Sequence, residues 1–392
     1  MSDTADAPPR ASLLNDPKVR GLFYQVLLVA FLVAGGWFIV SNTAANLERQ
    51  NISSGFDFLK NTAGFGISQT PIEYSETSSY GRAIVIGFLN TLLVAVFGIF
   101  FATIIGFVVG ISRLSTNWVI SKLAYWYVEI VRNVPLLLQI LFWYLLLIES
   151  TPSPRKSIEL GAGAVLNNRG FFLPKPIWGD LAVYSLAALV IGIIATFVIR
   201  SWARKRQELT GQQFPVGLTA LGAIIGFPLL VFLITGLPVQ FEYPALKGFN
   251  YVGGQRLIPE FLALLFALSI YTAAFIAEIV RAGIQAVSHG QTEAAHALGL
   301  RNSPTLRLVV IPQAMRVMIP PMTSQYLNLT KNSSLAVAIA FPDLVANGQI
   351  VMNQSGRAIE IVGIWMLVYL SLSLGTSAFM NWYNKRMALV ER

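Results

Sequence analysis

Cysteine is absent from the 392 residues, and charge is scarce: 12% of the chain is Asp, Glu, Lys or Arg, against 55% hydrophobic residues. Without thiols the chain has no thiol nucleophile, no Fe–S cluster, no thiolate zinc site and no disulfide scaffold. Its two histidines, His289 and His296, are too few for an imidazole-rich metal site. The shortage of charge excludes more, because water-soluble domains carry about 25% charged residues. No G-x-x-x-x-G-K-[ST] loop, H-E-x-x-H pair or G-x-S-x-G elbow occurs either, so P-loop nucleotide binding and two common hydrolytic chemistries have no residues to rest on.

What is abundant is uninterrupted apolar sequence, with a mean hydropathy of +0.61. A helix needs roughly 20 predominantly apolar residues to cross a hydrocarbon layer of about 30 Å. Eight segments qualify: Gly21 to Ser41, Val85 to Ser112, Val128 to Ile148, Leu181 to Ile199, Val216 to Thr235, Leu257 to Ile279, Gln313 to Thr330 and Ile359 to Tyr383. The third lies in an apolar run from Trp118 that would be about 46 Å long as one straight helix, so Pro135 is expected to kink it. The seventh is interrupted by Arg316, Pro320 and Pro321, and such a segment survives in a bilayer only against protein or water. The first run is too long for the core of a cleavable signal and reads as a retained helix.

The formal net charge of +9 is spread between the apolar segments instead of forming one dense stripe, which favours lipid headgroups over nucleic acid as the partner. Basic residues favour the connections on the side of the N-terminus, among them Arg200, Arg204, Lys205, Arg206, Arg281, Arg301 and Arg307, while outer basic residues sit mostly in long loops. The positive-inside rule then places both termini in the cytoplasm.

The connection between the sixth and seventh spans reads as more than a linker. Ser288 and Gln291 have capping-box spacing, Gln291 to Leu298 are good helix formers, Gly299 stands where a left-handed cap would fall, and Pro304 blocks continuation. A short, well-ended cytoplasmic helix is expected. Within it Gly290, Gln291, Glu293, Ala294, Ala295 and Gly299, with Val309, Ile311 and Pro312 further on, resemble the EAA signature of ABC-importer permeases. Tyr271 to Ile284 and Pro312 to Ile339 resemble the flanking spans of the polar amino acid uptake (histidine/glutamine permease-like) family, as do Asn90 to Ala95 and Val128 to Gln139. A longer N-terminus and an insertion ahead of Tyr271 are similar to the general L-amino acid transport permease subgroup.

That resemblance implies an all-α integral membrane protein of type I importer fold with about eight transmembrane helices, an added N-terminal helix and a two-helix insertion. The expected organisation is a cytoplasmic tail 1–20, a first helix 21–41, a periplasmic loop 42–84, a permease domain 85–384 with its insertion at 150–256 and coupling loop at 280–312, and a cytoplasmic tail 385–392. It implies a transport subunit, not an enzyme, of the bacterial inner membrane, translocating L-amino acids by alternating access. Implied partners are ABC ATPase subunits that bind the ATP and Mg, a second homologous permease and a periplasmic amino-acid-binding protein. No cofactor or metal is expected in this chain.

Polar groups inside spans are costly in lipid and mark a candidate substrate path: Asn90, Thr91, Gln139, Gln325, Asn328, Lys331, Asn332, Ser333 and Ser334. The alternative for each is an interhelical hydrogen bond. Glu129 with Arg132 and Glu278 with Arg281, each three apart, read as structural ion pairs. The loop from Asn42 to Arg82 reads either as a passive cover or as a contact for a soluble partner. An ion-coupled secondary transporter is the competing function, with a membrane enzyme third.

Overall fold

The computed structural model describes residues 17–49 and 55–387. The outer parts of both expected tails, 1–16 and 388–392, lie outside the described residues. The first helices are α1 (Pro17–Arg49), α2 (Tyr80–Ser112), α3 (Trp118–Asn133) and α4 (Leu136–Ser150). Ser79 starts α2 by accepting from the Arg82 amide at 3.3 Å, and Asn117 starts α3 by accepting from Val119 and Ile120. The apolar run from Trp118 breaks at Pro135, where α3 and α4 meet at 106°. The third crossing is therefore a right-angled pair: α4 begins at Leu136, eight residues later than the hydropathy suggests, and α3 lies across it.

After α4 the chain leaves the helical register. Strands β1 (Ile158–Glu159), β2 (Val165–Asn167), β3 (Gly170–Leu173) and β4 (Lys175–Trp178) precede α5 (Ala182–Thr210). Helix α6 (Val216–Leu221) runs through a π turn at Gly222–Gly226 into α7 (Phe227–Ile234), so that Val216–Ile234 is one span. Strands β5 (Val239–Glu242), β6 (Ala245–Lys247), β7 (Asn250–Val252) and β8 (Gln255–Leu257) then return to α8 (Pro259–Gln285). The sheet order β1-β2-β3-β8 is antiparallel, with Phe171 opposite Leu257. The insertion's entry and exit are thus stitched together beside the facing ends of α4 and α8, and β4 pairs with β5 as a ribbon continuing the α5–α7 hairpin. Helical structure dominates as expected, and this small β layer is the addition.

The remaining elements are α9 (His289–Ala297), α10 (Asn302–Thr305), α11 (Ile311–Asn332), α12 (Leu344–Ser355) and α13 (Ala358–Met387). A π turn at Leu306–Val310 joins α10 to α11, and a 3-10 turn at Ser333–Ile339 follows α11. The run from Asn302 and α12 form a second bent pair, at 54°. Among the described residues six helices are long and apolar enough to cross alone, or up to eight crossings if each bent pair counts as one.

Helix α8 is the hub, packed against α2, α3, α4 and α11. Its inward face interleaves large residues such as Leu264, Leu268 and Ile276 with small ones, Ala263, Ala267, Ala273, Ala274 and Ala277, all fully buried. Ala102, Gly106 and Gly110 on α2 repeat that pattern at four-residue intervals, and a Cβ on Gly110 would stand 2.7 Å from the Ala277 carbonyl oxygen. Helices that approach so closely gain dispersion contact where no hydrophobic drive exists between lipid and side chain. The hairpin repeats the device alone: Gly192 of α5 abuts the Ala223 carbonyl. Helices α5 and α7 pack chiefly on each other, and the apolar stretch of α1 within Val19–Thr43 is not buried against any described residue.

Candidate functional site

The short helix expected between the sixth and seventh spans exists as α9, and its ending is as the sequence suggests. Gly299 has φ +79°, its amide donates to the His296 carbonyl at 2.8 Å, and the Leu300 amide donates to the Ala295 carbonyl at 3.1 Å. This pair of bonds is a Schellman motif, which satisfies the carbonyls of the last turn. The start differs: Ser288 makes no side-chain cap, the Gln291 amide donating to the Ser288 carbonyl at 3.0 Å instead, and the Gln291 side chain is taken by Gln313, whose Nε2 donates to Gln291 Oε1 at 3.0 Å. The capping box is replaced by a tie between α9 and the first turn of α11. Pro312 sits in that same turn, directly after the π turn that joins α10 to α11. Pro304 falls inside α10, opening the next helix.

The signature residues divide by face. Ala295 is buried, in a helix that packs on the Leu306–Val310 turn. Gly290, Glu293, Ala294 and Ala297 face outward, and so does Leu298, whose side chain is 82% exposed. Positions 290, 294 and 298 lie on one stripe, so the outward surface is small at one end and apolar at the other. Leu298 is the member that sequence reasoning missed, although its i+4 spacing from Ala294 was available. Glu293 approaches only His289, at 4.0 Å and in solvent. A cleft of about 710 Å³ separates α9 from the end of α8, lined by Ile284, Val287, His289, His296 and Thr305.

Near α9 the end of the hub is clamped electrostatically to the end of α2. Glu278 of α8 binds Arg281 on its own helix and Arg113 at the end of α2. The Glu278–Arg281 pair was legible from its spacing; Arg113, 165 residues away, was not. The parallel expectation for Glu129 and Arg132 fails. Those two form no ion pair, and the Arg132 guanidinium lies 5.2 Å from the Phe275 ring centroid instead.

The candidate path residues separate into two groups. Asn90 is fully buried and its Nδ2 donates to the carbonyls of Gln69 (3.0 Å) and Pro342 (2.9 Å). Thr91 donates to Gly87 O and accepts from the Leu344 amide at 3.1 Å, which fixes the start of α12 beside Asp343. Asp343 is itself buried and caps α12 through Ala346 N at 2.8 Å. Gln139 donates to Val131 O and Val134 O, both at 2.9 Å, and so satisfies carbonyls released at the Pro135 break. Ser333 and Ser334 bond the carbonyls of Thr330 and Lys331. These side chains are occupied in holding the frame.

Gln325, Asn328, Lys331 and Asn332 form the second group. Together with Pro321 and Ser324 they lie along one side of α11, and none has a side-chain hydrogen bond among the described residues. A polar stripe on a membrane helix with nothing in its own chain to meet it must face water, solute or another protein. At the end of the bundle away from α9, residues 55–79 are folded down on the helices. Phe58 enters a small core with Ile84, Leu344, Val351 and Ile361, Gly55 N donates to Glu360 at 2.9 Å, and Tyr74 donates to Phe65 O at 2.8 Å. That packing is common to both sequence-based readings of the loop.

Comparison with known proteins agrees with this arrangement. Residues 218–389 match the family model described as binding-protein-dependent transport system inner membrane component. The chain is 57% identical over 381 residues to the general L-amino acid transport system permease protein AapQ of Rhizobium johnstonii, covering 97% of this chain and 95% of that one. It is 48% identical to the putative amino-acid ABC transporter permease protein YhdX of Escherichia coli, covering 96% of each. It is 40% identical to the glutamate/glutamine/aspartate/asparagine transport system permease protein BztB of Rhodobacter capsulatus, covering 99% of each. A helical membrane core, a capped helix between α8 and α11 and near-full-length likeness to these proteins converge: the chain belongs to the permease subunits of amino-acid ABC transporters.

Proposed function

We propose that α9 is the handle by which an ATPase subunit moves this permease, and that L-amino acids pass along the polar side of α11. The carrying observation is the outward stripe Gly290, Glu293, Ala294, Ala297 and Leu298 on a helix closed by a Schellman cap and joined to the membrane core by the Gln291 to Gln313 bond and by packing on the Leu306–Val310 turn. A short rigid helix with one small, apolar face fits a groove on a partner. ATP and Mg belong to that partner, since this chain carries no phosphate-binding loop. A second homologous permease would meet the stripe of Gln325, Asn328 and Lys331, whose amides and ammonium suit the carboxylate and ammonium of a zwitterion. The folded outer cover and β layer would face a periplasmic amino-acid-binding protein. Both termini and α9 are then cytoplasmic, in keeping with Arg200 to Arg206 and Arg301 to Arg307 on the same side. The domain scheme follows: N-terminal helix, outer cover, and a permease core interrupted by the insertion at 150–256.

The test is Leu298→Asp in the complete complex reconstituted into vesicles. Leu298 touches little of its own chain, so the permease should fold and insert normally. Amino-acid-stimulated ATP hydrolysis should fall at least about tenfold, since a carboxylate forced into an apolar contact costs more than 1.4 kcal/mol. Unchanged stimulation would remove α9 from the coupling route. Uptake by the purified chain alone, without nucleotide, would favour ion coupling.

A further inference from the structure

We propose that the inner end of the α5–α7 hairpin is a docking surface for anionic phospholipid headgroups. The proposal rests only on the hairpin crossing the membrane. Helix α5 leaves its apolar stretch at Ile199 and continues to Thr210, closed by Gly211 at φ +70°. In those last residues Arg200, Arg204, Lys205 and Arg206 stand against one acid, Glu208. Arg200, Arg204 and Lys205 are exposed, and none meets a carboxylate among the described residues. Arg206 lies 5.4 Å from the Trp202 ring centroid, and Trp202 meets Phe214 edge-on at 5.3 Å across the turn. The hairpin thus ends in an aromatic pair ringed by cations. Clusters of four or more Lys and Arg directly beyond a span attract anionic lipids, and Trp settles at headgroup depth.

Two further observations select lipid over protein as the occupant. The hairpin packs chiefly on itself, so its depth and tilt are set by its two ends and not by the bundle. Those ends are unlike: the outer one is tethered by the pairing of β4 with β5, with Lys175 offset by Asp180 and Glu242, whereas no strand among the described residues pairs at the inner one. The span on either side of Gly192 exposes Ile191, Ile194, Phe197 and Val198, a surface matched to acyl chains and contiguous with the cations below it. Headgroup phosphates at the boundary and tails along the same helix make one continuous partner.

The absence of cysteine permits a direct test. A fluorophore on Leu209→Cys, a site 85% exposed beside the cluster, is quenched in the assembled complex by spin-labelled phosphatidylglycerol or by spin-labelled phosphatidylcholine in otherwise zwitterionic bilayers. The control label is Leu181→Cys, at the outer end of the same helix. At low salt the inner label should report roughly tenfold or greater preference for the anionic lipid, and 1 M salt should abolish it. Arg200→Gln, Arg204→Gln and Lys205→Gln combined should bring the preference to about 1, while Arg200→Lys with Arg204→Lys should retain it because charge and not shape is read. Equal preference at both labels, or a preference indifferent to the triple change, overturns the proposal. So does loss of the ATPase subunit from the triple variant with lipid preference intact, since the surface would then be a protein contact.

Discussion

Gly110→Ala is the smallest change that should loosen the hub. An added Cβ would lie 2.7 Å from the Ala277 carbonyl oxygen and 2.7 Å from Val280 Cβ, both on α8. Optimal heavy-atom separation is about 3.5–4.0 Å, so the two helices must part locally by roughly 1 Å, and a gap of that size forfeits a quarter to a half of each dispersion contact around it. The contacts at stake are those of Ala102, Ile276 and Val280, all fully buried. Overpacking of this kind costs about 1–3 kcal/mol. Alanine's helix propensity returns up to about 1 kcal/mol, and Gly375→Ala on α13 isolates that return, because nothing lies within 4 Å of a Cβ there. Unfolding of the purified chain by dodecyl sulfate in mixed micelles should therefore show Gly110→Ala less stable than Gly375→Ala by about 1–3 kcal/mol. Coincident curves would mean that α2 and α8 are not in the close register described, and the small-residue account of the hub would fall.

Glu278→Gln leaves Arg113 and Arg281 facing each other without their shared carboxylate. With Arg113 at 10% and Glu278 at 29% side-chain exposure, the loss discounted for solvent is about 1–3 kcal/mol, and a cycle with Arg113→Gln should recover at least about 1 kcal/mol of coupling. Asn90→Ala frees the carbonyls of Gln69 and Pro342, so hydrogen exchange should quicken at 63–79 while α9 stays unchanged; uniform quickening would point to global destabilisation instead. Gln139→Leu strips the Val131 and Val134 carbonyls of their donor, and the distance between spin labels at the far ends of α3 and α4 should broaden about the 106° bend; a sharp, unaltered distribution would show that Pro135 alone sets the angle.

Features governed by neighbours in the chain were readable from the sequence, and features governed by distant partners were not. Gly299 ends α9 because a left-handed cap depends on residues within six positions. The break at Pro135 is equally local, since the ring removes a donor and clashes with the preceding turn. Asn90, Thr91 and Gln139 were correctly singled out as polar groups that lipid cannot satisfy, but their partners determine their work. Asn90 reaches Pro342 across 252 positions, and no pattern within α2 announces that. Glu129 and Arg132 show the converse: correct spacing did not produce a bond, because the Phe275 ring offered the guanidinium a better-placed face. The strands of the insertion escaped notice for another reason. They are two to four residues long, separated by Gly161, Gly163, Gly248 and Gly253 in left-handed turns, and too short to show alternation.

The connection from α9 to the polar stripe is what a lever requires. Force applied to α9 enters the core at two places: through the Gln291–Gln313 tie into the first turn of α11, and through the packing of α9 on the Leu306–Val310 turn. That turn is a π helix, a wound segment with one residue more per hydrogen-bonded ring than its neighbours, so it can shift register without unfolding. Helix α8 cannot follow such a shift cheaply, because small residues lock it to α2 and Glu278 bolts its end to Arg113. Movement therefore goes preferentially into α11, where Gln325, Asn328 and Lys331 ride on the side that its own chain leaves uncovered. On this reasoning the signature residues and the unpartnered polar side of α11 belong to one mechanical element, set against a fixed post.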